Sequence, residues 1–174
     1  GLLRLTSAGM IEDFSAKRIN VESKFMKIGS GSLGGKGRGL AFINSLLNNY
    51  QIDEHIENVR IFVPNSLVRT TEIFDLFMDK NDLISFVMSV DDDFIITEAF
   101  LKSKIPDSVK YSLRSFLLHM RKPIAVRSSS LLEDSSFQPF AGVYKTYMIP
   151  NNNNDVDVRL EELCNAIKLV YAST

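Results

Sequence analysis

The sequence feature that most constrains the fold is a short stretch crowded with glycine, residues 29–37, which reads Gly-Ser-Gly-Ser-Leu-Gly-Gly-Lys-Gly. Because glycine adopts left-handed backbone conformations and permits close approach at low steric cost, a run this dense indicates a turn or a binding loop. Residues 24–28 before it alternate polar and apolar side chains, which predicts a strand. The apolar residues after it recur at helical spacing, at Leu40, Ile43, Leu46 and Leu47. The stretch therefore predicts a strand–loop–helix unit.

Known glycine motifs fit this stretch poorly. The glycines at positions 29, 31 and 34 match the spacing of a dinucleotide-binding motif. That motif, however, also requires an acidic residue at the end of the second strand. Here Asp53 and Glu54 precede the second predicted strand, residues 59–63. A P-loop needs Ser or Thr after its lysine, where this chain has Gly37, and a kinase loop needs Val where it has Lys36. None of the three motifs explains the stretch.

Two interpretations of the loop remain open. Its backbone N–H groups can form an anion-binding nest, the next helix adds its positive end, and Lys36 adds a mobile cation. Alternatively, the loop is a flexible connector, and Lys36 is a solvated surface residue.

The rest of the pattern mixes strands and helices. Thr70 is placed to cap a helix with Ile73, Phe74 and Phe77 on its inner face. Residues 82–119 are mostly helical, broken at residues 91–93 and at Pro106, and residues 158–171 form a last amphipathic helix. Further strands are predicted at residues 59–63, 123–127 and 143–149. Long helical insertions without strict βαβ alternation favour an α+β fold over a doubly wound one.

A second polar cluster follows the strand that ends at Arg127. Residues 128–130 are three serines, and an arginine backed by hydroxyl groups suits bidentate phosphate recognition. Glu133 and Asp134 can orient that arginine or hold a cation, and Thr146 lies on the next strand. The alternative is a surface loop in which Arg127 pairs with one of the two acids.

If both clusters bind one polyphosphate, their strands share a sheet and their loops open on the same side. Since each side chain reaches about 6–7 Å, the Cα atoms of Lys36 and Arg127 are then expected within about 20 Å.

Together the two clusters resemble the pyruvate phosphate dikinase and phosphoenolpyruvate synthase superfamily. Residues 34–41, Gly-Gly-Lys-Gly-Arg-Gly-Leu-Ala, are similar to its Gly-Gly-Lys-(Gly/Ala)-x-x-Leu signature. Val63-Pro64 followed by Thr70-Thr71-Glu72 resembles its next strand end and helix start. Residues 126–134 and 140–142 are similar to its Val-Arg-Ser-Ser-x-x-x-Glu-Asp and Phe-Ala-Gly stretch, and residues 170–173 resemble its apolar-Ala-Ser segment. Ser66 and Arg69 depart from the pattern, where glycine and an apolar residue are usual.

The resemblance implies an ATP-grasp-like nucleotide-binding domain with a mixed sheet and helical insertions. It implies that Lys36 and Arg127 contact ATP phosphates, with Arg127 acting on the transferring group. The other nucleotide-binding candidates are Gly34, Gly35, Gly37, Ser128 and Thr146. Mg²⁺, a phosphohistidine domain and a substrate domain are implied for the longer polypeptide. The function implied is the ATP-binding part of a phosphotransferase; the alternative is a non-catalytic nucleotide-sensing or partner-docking module.

Composition narrows the other possibilities. Twenty Lys and Arg against 21 Asp and Glu give a net charge of −1, so no global charge attracts nucleic acid or an anionic membrane. No apolar run is long enough to span a bilayer. The single cysteine, Cys164, excludes an internal disulfide, fits a cytoplasmic protein and is expected in the core. Residues 91–93 are read as a helix start, and no metal site is predicted.

The domain prediction treats the chain as a piece of a longer protein. Residues 1–23 are a lead-in, and residues 24–174 form the ATP-binding domain, truncated at its C-terminal end inside a helical pattern. The first residue is Gly1 rather than methionine, as after excision or tag cleavage, with a processed natural N-terminus as the alternative. Neither His55 nor His119 resembles a phosphohistidine motif, so the isolated chain is expected to be inactive.

Overall fold

The computed structural model describes residues 12–14, 25–50, 58–129 and 145–173. Within these ranges the chain forms five short strands and six helices. In chain order the elements are β1 (Glu12–Asp13), β2 (Phe25–Ile28), α1 (Gly34–Tyr50), β3 (Ser66–Arg69), α2 (Thr71–Lys80), α3 (Leu83–Val87), α4 (Asp93–Lys102), α5 (Asp107–His119), β4 (Ile124–Arg127), β5 (Thr146–Ile149) and α6 (Val156–Ala172). None of the helices in these ranges is both long and apolar enough to cross a bilayer.

The strands form two small sheets. In the first, β2 lies between β1 and β3, all pairs are parallel, and Ile28 stands opposite Arg69. In the second, β4 and β5 are antiparallel, and Arg127 stands opposite Thr146. The α+β class is confirmed. The prediction of one mixed sheet is wrong for the described residues, which divide into one parallel and one antiparallel sheet.

The predicted strand at residues 59–63 is also wrong. The chain there forms no strand, and β3 lies later, at Ser66–Arg69, beyond the proline expected to close the strand. Two contacts fix this placement: Thr70 N–H donates to the Ile28 carbonyl at 3.1 Å and Thr71 N–H to the Ser32 carbonyl at 3.0 Å. Docking of the start of α2 on the glycine-rich segment therefore sets the register, overriding the local strand propensity of the earlier residues.

The helix boundaries follow the sequence signals closely. Thr70 is the N-cap of α2, as predicted, although its buried hydroxyl makes no capping bond. Asp92 caps α4 by accepting hydrogen bonds from the N–H groups of Phe94 and Ile95, which confirms residues 91–93 as a helix start. Pro106 immediately precedes α5, and the last predicted helix is present as α6.

Helix α6 is the centre of the core. It packs against α4, α5, β4 and β5. Its Tyr171 ring lies 4.9 Å from the Phe74 ring and 5.2 Å from the Phe77 ring of α2. Cys164 is buried in the same core, as predicted, and burial raises the pKa of its thiol. The helices thus form a scaffold that holds both sheets.

Candidate functional site

The glycine-rich segment lies where two parallel strands end. Strand β2 ends at Ile28, its partner β3 ends at Arg69, and α1 begins at Gly34. Gly29 and Gly34 have φ angles of 91° and 72°, in the left-handed region that glycine adopts without a side-chain clash. The segment therefore turns the chain at the carboxyl edge of a parallel sheet, where α/β proteins commonly bind ligands.

Strand β3, which follows α1 and pairs with β2, argues against the dinucleotide-binding motif. It ends at Arg69, a basic residue, where a dinucleotide-binding fold places an acid for the ribose. The structure thus rejects the dinucleotide-binding motif, as the sequence does. The deciding strand is β3, at Ser66–Arg69, rather than the strand predicted at residues 59–63.

The first turn of α1 packs directly on Ser129. The N–H of Gly35 donates to the Ser129 carbonyl at 2.9 Å, and the N–H of Gly37 donates to the Ser129 hydroxyl at 2.8 Å. That hydroxyl in turn donates to the Leu33 carbonyl at 2.8 Å. A methyl group at Gly34 would overlap the Ser129 carbonyl oxygen. Glycine at this turn is therefore required by contact with the chain's own backbone.

Ser129 brings together the two clusters that the sequence singled out. It is separated from Gly37 by 92 residues and follows Arg127 by two, a step that spans at most about 7 Å. The glycine-rich segment and the Arg127 segment therefore meet, which places Lys36 and Arg127 within the predicted limit of about 20 Å. Within the described ranges, the prediction that β2 and β4 share a sheet is wrong: the two strands belong to different sheets, and loop residues make this contact.

Other amides of the glycine-rich segment donate to the start of α2. The N–H of Ser32 donates to the Thr71 hydroxyl at 3.2 Å. The N–H and hydroxyl of Ser30 both donate to Oε2 of Glu72, at 2.6 and 2.7 Å. These two bonds hold the pKa of the Glu72 carboxyl below its ordinary value, and the bond from the Ser30 backbone N–H contributes more than the bond from the hydroxyl. In this structure, the amides of Ser30, Ser32, Gly35 and Gly37, in the segment expected to face a polyphosphate, thus bond to protein oxygens.

Lys36 is the third residue of α1 and lies half-buried, with its ammonium nitrogen shielded from solvent. The alternative in which Lys36 is a solvated surface residue is therefore wrong. Its neighbours Gly35 and Gly37 are both bonded to Ser129, so its backbone position is fixed relative to the Arg127 segment.

The second cluster divides between the two faces of the β4–β5 pair. Arg127 and Thr146 are cross-strand partners, and both are exposed. Val126 and Ser128, on either side of Arg127 in sequence, are buried. Arg127 and Thr146 can thus contact a ligand directly from the open face, whereas Ser128 lies on the inner side.

Several residues considered above lie outside the described part of the chain. They are Asp53, Glu54, His55, Ser130, Glu133, Asp134 and residues 140–142. His119 is described: it is exposed at the end of α5, with Nδ1 3.0 Å from the Ser115 carbonyl oxygen, which makes it a surface histidine. Among the described residues, no three His, Cys, Asp or Glu side chains come close enough together to hold a metal ion.

Two residues of this region were not chosen from the sequence as site residues. Ser129 was one of three consecutive serines, and no local signal separates it from its neighbours. Glu72 was only part of the pattern at the start of α2. An acid in the first helical turn ordinarily indicates a favourable helix dipole, so its contact with the glycine-rich segment was not foreseen.

Comparison with known proteins gives one match. A sequence profile described as the AMP/ATP-binding domain of pyruvate phosphate dikinase matches residues 30–174. No curated protein and no solved structure matches the chain significantly. The match begins at Ser30, inside the glycine-rich segment, and includes Lys36, Arg127, Ser129 and Thr146. The chain therefore belongs to the family of the AMP/ATP-binding domain of pyruvate phosphate dikinase.

Proposed function

We propose that this chain binds the phosphates of ATP between the first turn of α1 and the exposed face of the β4–β5 pair. The observation that carries the proposal is the pair of hydrogen bonds from Gly35 and Gly37 to Ser129. They join two segments that are distant in sequence, each with a cationic residue suited to phosphate, inside a domain of an AMP/ATP-binding family.

Each candidate residue has a distinct part in this proposal. Lys36 supplies a localised positive charge at the N-terminus of α1, where the helix dipole also favours an anion. Arg127 presents a planar guanidinium that can contact two phosphate oxygens, and Thr146 adds a hydroxyl donor beside it. Gly34, Gly35 and Gly37 hold the turn against Ser129, and the buried Ser128 supports the strand end from the inner side.

The described residues do not by themselves form a magnesium site. Mg²⁺ requires oxygen ligands in near-octahedral geometry, usually carboxylates together with phosphates and water. No cluster of three acidic, histidine or cysteine side chains is present in the described ranges. The proposal therefore assigns no step to a metal ion at these residues.

In the longer protein, we propose that this domain holds ATP for phosphoryl transfer to a histidine carried by a separate domain, as in enzymes that use phosphoenolpyruvate. Arg127 would then stabilise the negative charge that develops on the transferring group. Residues 24–174 would form the ATP-binding part, preceded by a lead-in of residues 1–23, in a cytoplasmic protein.

Replacing Lys36 with methionine tests the binding step. Methionine retains most of the side-chain volume but removes the charge. The loss of one charge-assisted contact is expected to weaken ATP binding by about 1.5–3 kcal/mol, or about 10- to 150-fold in Kd. Calorimetric titration of the folded variant measures this change directly.

Lys80→Met is the matched control, since it removes the same charge from an exposed residue at the far end of α2. It should bind ATP as the wild type does. Equal ATP affinity in Lys36→Met, Lys80→Met and the wild type would remove Lys36 from the site.

A further inference from the structure

The contact between Glu72 and Ser30 has a chemical peculiarity. A single carboxylate oxygen, Oε2, accepts from both the backbone N–H and the hydroxyl of Ser30, at 2.6 and 2.7 Å. A backbone amide and a hydroxyl converging on one anionic oxygen form the arrangement that phosphate-binding loops offer to a phosphate oxygen. Both residues are exposed, so a nucleotide can reach the same donors.

The backbone around this contact is arranged for an anion. Gly29, with its φ of 91°, immediately precedes Ser30. Glu72 lies in the first turn of α2, where the helix dipole favours negative charge. Gly31 lies so close to α2 that a methyl group on it would be 2.9 Å from the Glu72 nitrogen. The loop and the helix start therefore converge on the Glu72 carboxylate.

Glu72 is one of several attachments between the loop and the start of α2. Thr70 and Thr71 donate their N–H groups to the carbonyls of Ile28 and Ser32, at 3.1 and 3.0 Å. The Thr71 hydroxyl also accepts from Ser32 N–H at 3.2 Å. Because three other hydrogen bonds fasten the loop to α2, the carboxylate of Glu72 mainly adds a negative charge over the donors of Ser30.

We propose that Glu72 occupies the position of a phosphate in the nucleotide-free protein and competes with the nucleotide for the two donors of Ser30. A phosphate that takes over these donors must displace the Glu72 carboxylate, since two anions cannot share them without strong repulsion. The negative charge of Glu72 thus lowers the affinity of the site. This inference rests on the proposed function, because the competing anion is a phosphate of the bound nucleotide.

Two substitutions separate competition by charge from support of the loop. Glu72→Gln removes the charge but keeps an oxygen that can accept from Ser30, whereas Glu72→Ala removes both. Competition predicts that both variants bind ATP about fivefold more tightly than the wild type at low salt, and that the gain shrinks as salt rises. Asp79→Asn, an exposed acid further along α2, is the control and should leave the affinity unchanged.

The titrations use the full chain with ATP and, separately, with inorganic tripolyphosphate, which lacks the base and the sugar. A gain for both ligands in both Glu72 variants supports competition at the phosphates. Unchanged affinity in Glu72→Gln with weaker binding in Glu72→Ala would overturn it, and would make Glu72 a support of the loop.

Hydrogen exchange at the Ser30 amide provides a readout that needs no nucleotide. Exchange should be slower in the wild type than in Glu72→Ala, and equal rates would overturn the proposal whatever the ATP data show. If the wild type binds ATP but the Glu72 variants gain nothing, competition fails and the proposed function stands. If neither the wild type nor any variant binds ATP or tripolyphosphate, the proposed ATP-binding function and the competition by Glu72 are both wrong.

Discussion

Gly34→Ala is expected to destabilise the protein by about 3 kcal/mol, since two costs add at this position. Alanine in the left-handed backbone conformation of Gly34, φ 72°, costs about 1–2 kcal/mol. The new methyl group would also overlap the Ser129 carbonyl oxygen, so α1 must move away and weaken the bonds from Gly35 and Gly37. Urea unfolding of the variant and the wild type measures the difference.

Gly39→Ala is the matched control. Gly39 lies in the same helix, and a methyl group there would meet no atom within 4 Å outside the helix's own backbone and its chain neighbours. Alanine at an open helical position should stabilise the protein, by about 0.5–1 kcal/mol. The account predicts opposite signs for the two substitutions, and a Gly34→Ala variant as stable as the wild type would contradict the packing of α1 on Ser129.

Arg159→Met should cost about 3 kcal/mol of stability, since it removes a buried cation from its hydrogen-bond partners. Its side chain is only 1% exposed, and Nη1 donates to the carbonyls of Leu117 and Met120 at 2.9 and 3.1 Å. It also donates to Oδ1 of the fully buried Asn151 at 3.2 Å. Methionine fills most of the space but leaves these buried oxygens without their cationic donor. Thermal and urea unfolding should both report the loss.

Arg114→Met gives the comparison at the surface of the same helix pair. Arg114 on α5 pairs with Asp157 on α6 at 2.8 Å, and both side chains are substantially exposed to solvent. An exposed ion pair contributes less than about 1 kcal/mol, so this variant should remain close to the wild type. Similar losses for the two arginine variants would mean that burial does not set the contribution of Arg159.

Sequence signals located the helices because those signals are local. Asp92 and Pro106 mark the starts of α4 and α5, and the apolar stripe that includes Cys164 marks α6. The burial of Arg159 could not be predicted from local sequence signals. This residue lies four residues before Leu163 on the same apolar face, yet a charged residue there has no local explanation. Its burial is explained by the carbonyls at the end of α5 and by the side chain of Asn151, which lie outside α6.

The sheet and the site were harder to predict because they depend on contacts between distant residues. Residues 59–63, Val-Arg-Ile-Phe-Val, have higher strand propensity than residues 66–69. The bonds from Thr70 to Ile28 and from Thr71 to Ser32 nevertheless decide which of the two segments pairs with β2. The convergence of Lys36 and Arg127 was predicted from their chemistry. Ser129, which makes that convergence possible, could not be distinguished from its serine neighbours in the sequence.

The most direct test of the central claim is an ATP titration followed by the backbone amide resonances of the full chain. One phosphate chain that contacts both segments should shift the amides of residues 35–37 and residues 127–129 together, with a single dissociation constant. The Ser30 amide should follow the same curve as Glu72 is displaced. Shifts confined to one of the two segments, or to amides elsewhere such as those of α5, would contradict a shared ATP site.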